Sequence, residues 1–309
     1  MPHRYAYLGP AGTFSEAAVR ALDQDGQLEA AAFPTIQAAL SAVRDGTADR
    51  AVVPIENSVE GAVTTTMDDL ATGPELVICG ELLLGVAFAL LVRPGTQLAD
   101  IKLIGGHPVA QPQCRQWLAR HLPDAEWRPA TSNAEAARQV ADGQLDAALA
   151  GAFTAGVYGL TVLVSDIHDR DSAVTRFVVV QPPAQLPPLT GGDRTSVVAF
   201  LADDHPGALM EILSQFAVRE VNLTRIESRP TGNGLGRYCF FIDCEGHVGE
   251  PRVGEALMGL RRICSDVRFL GSYPRGDGGR SPVRAGTSEA AFADAAAWLA
   301  RLRGGQASR

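Results

Sequence analysis

The sequence predicts an α/β protein with two domains, and three observations carry that prediction. From residue 4 to about residue 180, short apolar runs alternate with helical segments, which is typical of a sheet covered by helices. Residues 181–193 are rich in Pro and Gly and are interpreted as a linker. Beyond them the order becomes β-α-β-β-α-β, which is the ferredoxin-like order. A length of 309 residues fits two domains of roughly 100–200 residues each.

The first part of the larger domain contains three strand signals and three helix signals. Each predicted strand is a short apolar run, and each predicted helix is a segment with helical spacing of its apolar residues. The strands are Tyr5–Gly9, Ala30–Phe33 and Ala51–Ile55, and the helices are Ala17–Leu22, Ile36–Arg44 and Ala62–Leu70. This alternation predicts a mainly parallel sheet.

A long apolar stretch suggests that the larger domain is split into two lobes. Its two predicted strands, Leu76–Leu84 and Val86–Val92, are long enough to cross from one lobe to the other, and Thr175–Val180 would carry the chain back. The second lobe is predicted to hold the strands Lys102–Ile104 and Ala147–Ala150 and the helices Val109–His121 and Ala134–Val140. Clefts between α/β lobes are favoured ligand sites.

The smaller domain follows the linker. Its predicted elements, in chain order, are the segments Ser196–Leu201, Ala208–Val218, Leu223–Ser228, Tyr238–Cys244, Val253–Ile263 and Val267–Leu270. A glycine-rich turn at residues 231–236 joins the two middle strands. Because it lies between two strands, it does not fit a dinucleotide-binding turn, which needs a strand followed by a helix.

The predicted domain boundaries follow from these patterns. Residues 1–180 form the larger domain, 181–193 the linker, 194–275 the smaller domain and 276–309 a tail. In the tail, Ser288 can N-cap a short helix that has an apolar stripe. That helix is predicted to dock on another surface, and a frayed tail is the alternative.

Composition excludes several classes of protein. The net charge of -8 argues against a general nucleic-acid binder. The only lysine, Lys102, is not in a phosphate-binding loop. The five cysteines form no C-x-x-C pair and are interpreted as buried thiols in a reducing compartment. The longest apolar run is about half of the ~20 residues that span a bilayer, and no signal peptide is recognised. We therefore expect a cytoplasmic protein without nucleic-acid or membrane partners.

Four polar turns each join a strand to a following helix. They lie at residues 9–15, 56–61, 105–113 and 131–133. In open α/β sheets this edge is where ligands bind. The glycines, hydroxyls and amides of these turns favour a small anion held by backbone dipoles and hydroxyls rather than by a metal. At the first turn an ordinary capped turn is the alternative, and at the second it is helix capping by Asn57 or Ser58.

Three further side chains are candidates for chemistry. Arg176 can grip a carboxylate through a fork of hydrogen bonds, or it can be a surface residue of a strand edge. His107 is a candidate general acid, although a His before Pro at a helix entry commonly makes a structural hydrogen bond. Cys114 is interpreted as a core residue. The residues alone thus predict a receptor for a small carboxylate, joined to a ferredoxin-like module.

Four segments follow one another in a specific order and spacing along the first 180 residues: Tyr7–Ser15, Pro54–Gly61, His107-Pro108 through Gln113-Cys114, and Thr175-Arg176-Phe177. In this order and spacing they resemble the prephenate dehydratase family. After the linker, Gly207-Ala208-Leu209 and Glu227-Ser228-Arg229-Pro230 resemble the phenylalanine-sensing ACT domain of these enzymes.

This resemblance implies a fold, a reaction and a set of residues. The fold is a two-lobed, periplasmic-binding-protein-like (type II) catalytic domain followed by an ACT domain. The reaction is the decarboxylating dehydration of prephenate to phenylpyruvate in L-phenylalanine biosynthesis, with no cofactor and no metal. Thr175 matches the family's proposed proton donor. The residues expected to bind substrate are Thr13, Ser15, Asn57, Ser58, Gly61, Gln113, Thr131 and Arg176.

The resemblance also implies regulation and assembly. L-phenylalanine is the expected allosteric inhibitor, and the protein is expected to be a homodimer or homotetramer. The residues expected to bind the effector are Gly207, Ala208, Leu209, Asn222, Leu223, Glu227 and Ser228.

The sequence departs from the family pattern at two positions, and one alternative function stays open. Relatives commonly have Ser at the position of Gly106, and they tend to have Asn at the position of Ala173. The alternative function is a non-catalytic sensor of a small carboxylate or amino acid, which the intact Thr175-Arg176-Phe177 disfavours.

Overall fold

Two compact units make up the chain. The computed structural model describes residues 3–23, 26–169, 173–231, 238–280 and 282–305. Unit 1 comprises Met1–Thr66 and Leu82–Pro182, and unit 2 comprises Met67–Glu81 and Pro183–Arg309. The segment Met67–Glu81, which the sequence analysis assigned to the larger domain, therefore packs with the C-terminal part of the chain.

The first half of the chain alternates strands and helices as the sequence suggests. The strands are β1 (Arg4–Leu8), β2 (Glu29–Phe33), β3 (Arg50–Asn57), β4 (Gly61–Ala62), β5 (Val77–Gly85), β6 (Ala89–Val92), β7 (Leu103–Gly106), β8 (Glu126–Pro129), β9 (Ala147–Ala150), β10 (Thr161–Val164) and β11 (Val174–Gln181). The helices are α1 (Phe14–Leu22), α2 (Ile36–Arg44), α3 (Thr64–Thr72), α4 (Ala110–Gln113), α5 (Arg115–His121), α6 (Asn133–Ala141) and α7 (Thr154–Tyr158).

These strands form two sheets, and the crossings between them are where the sequence predicted. One sheet has the order β2-β1-β3-β11-β5, with β4 paired to β3, and the other has the order β10-β6-β9-β7-β8. The chain passes from the first sheet to the second between β5 and β6, and it returns between β10 and β11. The expected pair of lobes therefore corresponds to one lobe around each sheet.

Both sheets are mixed, so the expectation of mainly parallel sheets is wrong. Strand β1 runs parallel to β2 and β3, but β11 runs antiparallel to β3. In the second sheet, β7 is parallel to β8 and β9, whereas β6 is antiparallel to β9. A parallel pair needs a crossover connection, which is usually a helix. Strands β11 and β6 instead enter their sheets from the other lobe, so they are free to pair antiparallel.

Local sequence explains where the helices begin and where one of them breaks. Thr13, Thr35 and Ser132 each accept a hydrogen bond from a backbone N–H in the first turn of α1, α2 and α6. The single helix predicted at Val109–His121 is divided at Cys114 into α4 and α5. It contains Pro112, which has no N–H to donate within a helix.

Unit 2 has the ferredoxin-like order that the sequence predicted. Its elements are β12 (Asp193–Phe200), α8 (Ala208–Ala217), β13 (Leu223–Pro230), β14 (Tyr238–Glu245), α9 (Pro251–Ile263) and β15 (Asp266–Pro274). The antiparallel sheet has the order β13-β14-β12-β15. Ile212 and Phe216 of α8 and Leu260 of α9 pack into its core. The predicted turn at 231–236 lies, from residue 232 onward, outside the described residues.

The tail forms a helix, as expected, but most of this helix is exposed. Ser288 caps α10 (Glu289–Arg303) by accepting a hydrogen bond from Ala291 N. No residue of α10 is buried, and Leu299 and Leu302 of its stripe are exposed. The predicted docking of this helix therefore stays a prediction.

The cysteines and the helix lengths add two observations. All five cysteines are free thiols, and burial raises the pKa of Cys114 and Cys244 to about 12, so both remain protonated near neutral pH.

Among the helices of the described residues, none combines the length and the apolar character that a membrane span requires.

One backbone contact in unit 2 requires glycine. Gly271 of β15 has φ 141°, and a Cβ there would lie 2.2 Å from the carbonyl oxygen of Ile78. Replacing Gly271 by Ala is expected to destabilise unit 2 by at least about 1–3 kcal/mol, the usual magnitude of local backbone strain. Chemical denaturation measures this. Gly286→Ala is the matched control, because its Cβ would meet nothing within 4 Å. Equal midpoints for the two variants would contradict the prediction.

Candidate active site

The most informative pair of side chains lies where β3 and β11 run side by side. Thr175 stands opposite Asn57 in the antiparallel register, and Asn57 Nδ2 donates to Thr175 Oγ1 over 2.8 Å. Asn57 Oδ1 accepts from the backbone N–H groups of Val59 and Glu60, at 2.8 and 3.0 Å, which fixes the orientation of the amide. Since Thr175 Oγ1 already accepts a hydrogen bond here, its own hydrogen is directed elsewhere.

The turn after β3 is fastened to the start of β11. Ser58 N donates to Val174 O, and Ser58 Oγ accepts from Val174 N, each over 2.9 Å. Gly61 of β4 pairs with Asn57 and has φ 83°, a conformation that favours glycine. Ser58 and Gly61 therefore lie beside the Asn57–Thr175 pair and help to hold it.

Arg176 belongs to the opposite face of the same strand. Neighbouring residues of a strand point to opposite faces, so Arg176 points away from the side of Thr175. It is only 5% exposed, and its Nη1 lies 3.6 Å from Glu56 Oε2. Of the two roles expected for Arg176, this position favours the architectural one over direct contact with a carboxylate.

Two helix starts open onto one cavity of about 580 Å³. Residues of the first lobe, Thr13 and Phe14 among them, form one wall at the start of α1. Thr131, Ser132 and Asn133 form the other wall at the start of α6. Each helix start carries a partial positive charge. At α1 the buried carboxylate of Glu16 accepts from Gly12 N, and at α6 the cavity is also lined by Glu135, which is paired with Arg138.

The hydroxyl groups expected to bind substrate here differ in their exposure and in the hydrogen bonds they already make. Thr13 Oγ1 donates to Leu8 O over 3.0 Å and accepts from Glu16 N over 3.3 Å, so it is occupied by capping α1. Thr131 is exposed at the cavity wall. Ser15 is buried within α1.

His107 lines the same cavity, and its protonation follows from its contacts. Its backbone N–H donates to Asn133 Oδ1 over 2.8 Å, and its Nδ1 accepts from Val109 N over 3.3 Å. The ring hydrogen of the neutral form is therefore on Nε2. Burial lowers the pKa of His107, opposed in part by the negative charge of Glu60. The structural hydrogen bonds that the sequence suggested for His107 are present, and they leave a neutral donor at the cavity.

A second cavity of about 380 Å³ contains Gln113. Gln113 Nε2 donates to Val109 O over 3.2 Å, and Val59 and Glu60 of the β3–β4 turn line the same space. His107 of the larger cavity and Gln113 of the smaller one both hydrogen-bond to the backbone of Val109, so the two cavities lie close together.

The structure groups the expected residues as follows. Thr175, Asn57, Ser58 and Gly61 form one cluster, Thr13 and Thr131 line the larger cavity, and Gln113 lines the smaller one. Ser15 and Arg176 lie buried beside these groups. Ser132 and Asn133 belong to the fourth polar turn of the sequence, although only Thr131 of that turn was expected to contact substrate.

The two departures from the family pattern have different surroundings. A Cβ at Gly106 would lie 2.8 Å from the indole carbon Cη2 of Trp127, so the indole fills the space of a side chain there. Ala173 is buried, and its carbonyl accepts from Val86 N over 2.7 Å.

Within the described residues, no group of three or more His, Cys, Asp or Glu side chains is arranged to hold a metal ion.

The residues expected to bind the effector lie at two places in unit 2. Gly207, with φ 97°, precedes α8, which begins with Ala208 and Leu209. The others follow one another along β13, an edge strand of the sheet, or stand just before it: Asn222, Leu223, Glu227 and Ser228.

Comparison with known families divides the chain in the same way. A prephenate dehydratase family model matches residues 5–185, and an ACT domain model matches residues 196–262. The fold and the site thus define a two-lobed α/β enzyme of the carbon–oxygen lyase class, with a regulatory type of domain at its C-terminus. The chain belongs to the prephenate dehydratase family, which confirms the resemblance and the predicted fold class.

Individual relatives cover almost the whole chain. Prephenate dehydratase of Mycolicibacterium vanbaalenii is 48% identical over 97% of this chain and 98% of its own length. The crystal structure of prephenate dehydratase from Arthrobacter aurescens in complex with L-Phe is 49% identical, has a TM-score of 0.92 and covers 97% of this chain and 99% of that one. A third structure, GqqA, described as a novel type of quorum quenching acylase, is 31% identical with a TM-score of 0.80 over 90% of this chain and 98% of that one.

The lowered pKa of His107 predicts how stability changes with pH. In the unfolded chain His titrates near pH 6.5. Below that pH the unfolded state binds the proton more readily than the folded state, so stability falls as the pH falls. We expect the parent protein to lose more stability between pH 7 and pH 5.5 than the variant His107→Gln. Chemical denaturation at both pH values measures the free energy of unfolding. An identical loss in the two proteins would show that His107 does not have a lowered pKa in the folded state.

Proposed function

We propose that this chain converts prephenate to phenylpyruvate, water and carbon dioxide, and that the Asn57–Thr175 pair promotes departure of the hydroxyl group. The observation that carries the proposal is the 2.8 Å hydrogen bond from Asn57 Nδ2 to Thr175 Oγ1. The turn that orients Asn57 also lines the smaller cavity, through Val59 and Glu60. Membership of the family supplies the reaction.

The balance of the reaction defines what the protein has to do. The bond between the ring and its carboxylate breaks and releases carbon dioxide. Its electron pair enters the ring and expels the hydroxyl group, which needs one proton to leave as water. The ring becomes aromatic, so the driving force lies in the substrate. The protein must orient the substrate and place a donor at the leaving oxygen.

Thr175 is suited to donate a hydrogen bond but not to be a strong acid. A threonine hydroxyl is a weak acid near neutral pH. The N–H donated by Asn57 withdraws electron density from Oγ1 and so strengthens the hydroxyl as a donor. General acid assistance is worth about 10²–10⁴-fold in rate, and preorganised dipoles supply much of the remainder.

The larger cavity has features suited to a substrate with two carboxylates. The starts of α1 and α6 border it, and His107 adds a neutral donor. A fixed cation on the ring carboxylate would stabilise the ground state, because that group leaves without its charge. Uncharged donors therefore suit the reaction, and they support Thr131 and His107 as contacts. Thr13 and Ser15 would act mainly through the shape of α1, and Gln113 through the smaller cavity.

Removing the hydroxyl at position 175 tests the role of Thr175. Thr175→Ala is expected to lower kcat by about 10²–10⁴-fold, the usual contribution of general acid assistance. The appearance of phenylpyruvate from prephenate is the assay, and circular dichroism shows whether the fold is kept. Thr175→Ser retains the hydroxyl and is expected to keep far more activity than Thr175→Ala. A rate near that of the parent in Thr175→Ala would refute the role.

Two other functions predict different properties of the site. A non-catalytic sensor would bind prephenate without forming phenylpyruvate, and the same assay rejects or establishes it. An acylase, as the 31% identical relative is described, needs an activated nucleophile. Here the described partner of Thr175 Oγ1 is an amide donor, which does not take a proton from the hydroxyl. The geometry therefore favours the dehydratase.

We also infer that L-phenylalanine binds to unit 2 as an inhibitor and that the protein is a cytoplasmic homodimer or homotetramer. The relative crystallised with L-Phe, at 49% identity, supports the ligand. The five free cysteines are consistent with a reducing compartment. The effector residues are those at the start of α8 and along β13.

Asn222 offers a mild test of the effector site. Its backbone carbonyl accepts from Glu245 N, so the loop position does not depend on its side chain. Asn222→Ala is expected to raise the phenylalanine concentration for half-inhibition several-fold without changing the uninhibited kcat, because only an effector contact is lost. Arg262→Ala, at an exposed residue near the end of α9, is the control. An unchanged inhibition curve would remove Asn222 from the site.

A further inference from the structure

Helix α3 runs from unit 1 into unit 2. Its residues up to Thr66 belong to unit 1, and those from Met67 onward belong to unit 2. Met67 and Asp68 directly follow Thr66 in this helix, where each residue rises by about 1.5 Å. Because a turn of helix is stiff and hydrogen-bonded, a displacement of Met67 or Asp68 also displaces Thr66.

The start of α3 is fastened to the strand that carries Asn57. Thr66 is fully buried, and its Oγ1 donates to Pro54 O over 2.6 Å. Val63 N, just before the helix, donates to Ile55 O over 3.0 Å. Asn57 lies at the end of this strand, so a shift of α3 acts on the strand directly before the Asn57–Thr175 hydrogen bond.

The remainder of α3 is held in unit 2 by arginine side chains. Arg229 of β13 makes a two-pronged contact with Asp68, from Nε to Oδ1 over 3.0 Å and from Nη2 to Oδ2 over 2.7 Å. Arg268 of β15 donates to the carbonyls of Leu70 and Gly73 at the end of the helix, over 3.1 and 2.6 Å. A fork of this kind fixes orientation as well as distance, unlike a single ion pair.

The strand that supplies Arg229 also carries part of the proposed effector site. Residues Arg225, Glu227 and Arg229 alternate along β13 and are half-buried, while Ile226 and Ser228 between them are exposed. Arg225 Nη2 also lies 2.8 Å from Met67 Sδ. Glu227 is thus flanked on its own face by the two side chains that reach α3.

We propose that α3 transmits the binding of L-phenylalanine on β13 to the Asn57–Thr175 pair, with the Asp68–Arg229 fork as the coupling contact. The sequence of contacts runs from β13 through Arg229 to Asp68, along α3 to Thr66, and through Pro54 to the end of β3. This inference rests on the proposed function, because it needs both an inhibitor and the reaction that is inhibited.

The Asp68–Arg229 contact could couple the two sites or could only support the fold, and the two roles predict different results. A purely structural contact would stabilise the fold in the same way with and without phenylalanine. A coupling contact changes the effect of one ligand on the other and leaves each separate affinity nearly unchanged. Asp68 lies outside the residues assigned to substrate and to effector, so its replacement can separate the two cases.

The test measures phenylalanine inhibition in Asp68→Asn. This variant keeps the size of the side chain and removes the charge that Arg229 grips. We expect uninhibited kcat and the calorimetric Kd of phenylalanine to stay within about twofold of the parent. The phenylalanine concentration for half-inhibition should rise at least about fivefold, or the maximal inhibition should fall, in line with typical allosteric couplings of 5–150-fold. Asp68→Glu keeps a carboxylate and should retain inhibition.

A matched control separates this effect from the loss of an ordinary surface ion pair. Asp266→Asn removes the exposed pair with Arg261, 2.7 Å long and in the same unit, and should leave inhibition unchanged. Parent-like inhibition in Asp68→Asn overturns the proposal. So does a parallel loss of phenylalanine binding, which would place Asp68 in the effector site itself.

Failure of the proposed function would look different. If the parent formed no phenylpyruvate, the reaction would be rejected, and if phenylalanine neither bound nor inhibited the parent, the regulation would be rejected. Either result also removes this inference. A parent that is active and inhibited, with Asp68→Asn behaving identically, rejects the coupling alone.

Discussion

The pairing of β11 with β3 is the constraint on which the candidate site depends. A return strand from the second lobe is placed antiparallel to a strand of the first, and this register sets Thr175 opposite Asn57. The amide of Asn57 is oriented by two backbone N–H groups of its own turn, so it can only present its NH₂ to the threonine. Two residues 118 apart in sequence thus become one chemical unit through backbone pairing alone.

The sequence predicted the fold well because its signals were local and repeated. The helix Ile36–Arg44 and the strand Ala147–Ala150 have the predicted boundaries, since caps, a terminal glycine and a continuous apolar run define them. Strands β8 and β10 were missed. Both are edge strands. Strand β8 is largely exposed and shows no apolar run, whereas β10 contains the run Val162-Leu163-Val164, a signal that was present but too short to be assigned.

The site was predictable in its members but not in their roles. Motif order could indicate that Asn57, Ser58 and Thr175 belong together. It could not show that Thr13 is occupied in capping α1, or that Arg176 turns to the far face of β11 beside Glu56. Hydrogen-bond partners and strand faces depend on register, which is set by contacts between distant segments. The attachment of Met67–Glu81 to unit 2 has the same origin, because it rests on arginines more than a hundred residues away.

The space beside Gly106 has an evolutionary consequence. The Trp127 indole occupies the volume that any side chain at position 106 would need, so the two positions cannot change independently. Serine at position 106 would require the Trp127 ring to move or to be replaced by a smaller side chain, and the ring in its present place requires glycine at 106. One contact in the second lobe thus couples the choice of residue at two positions.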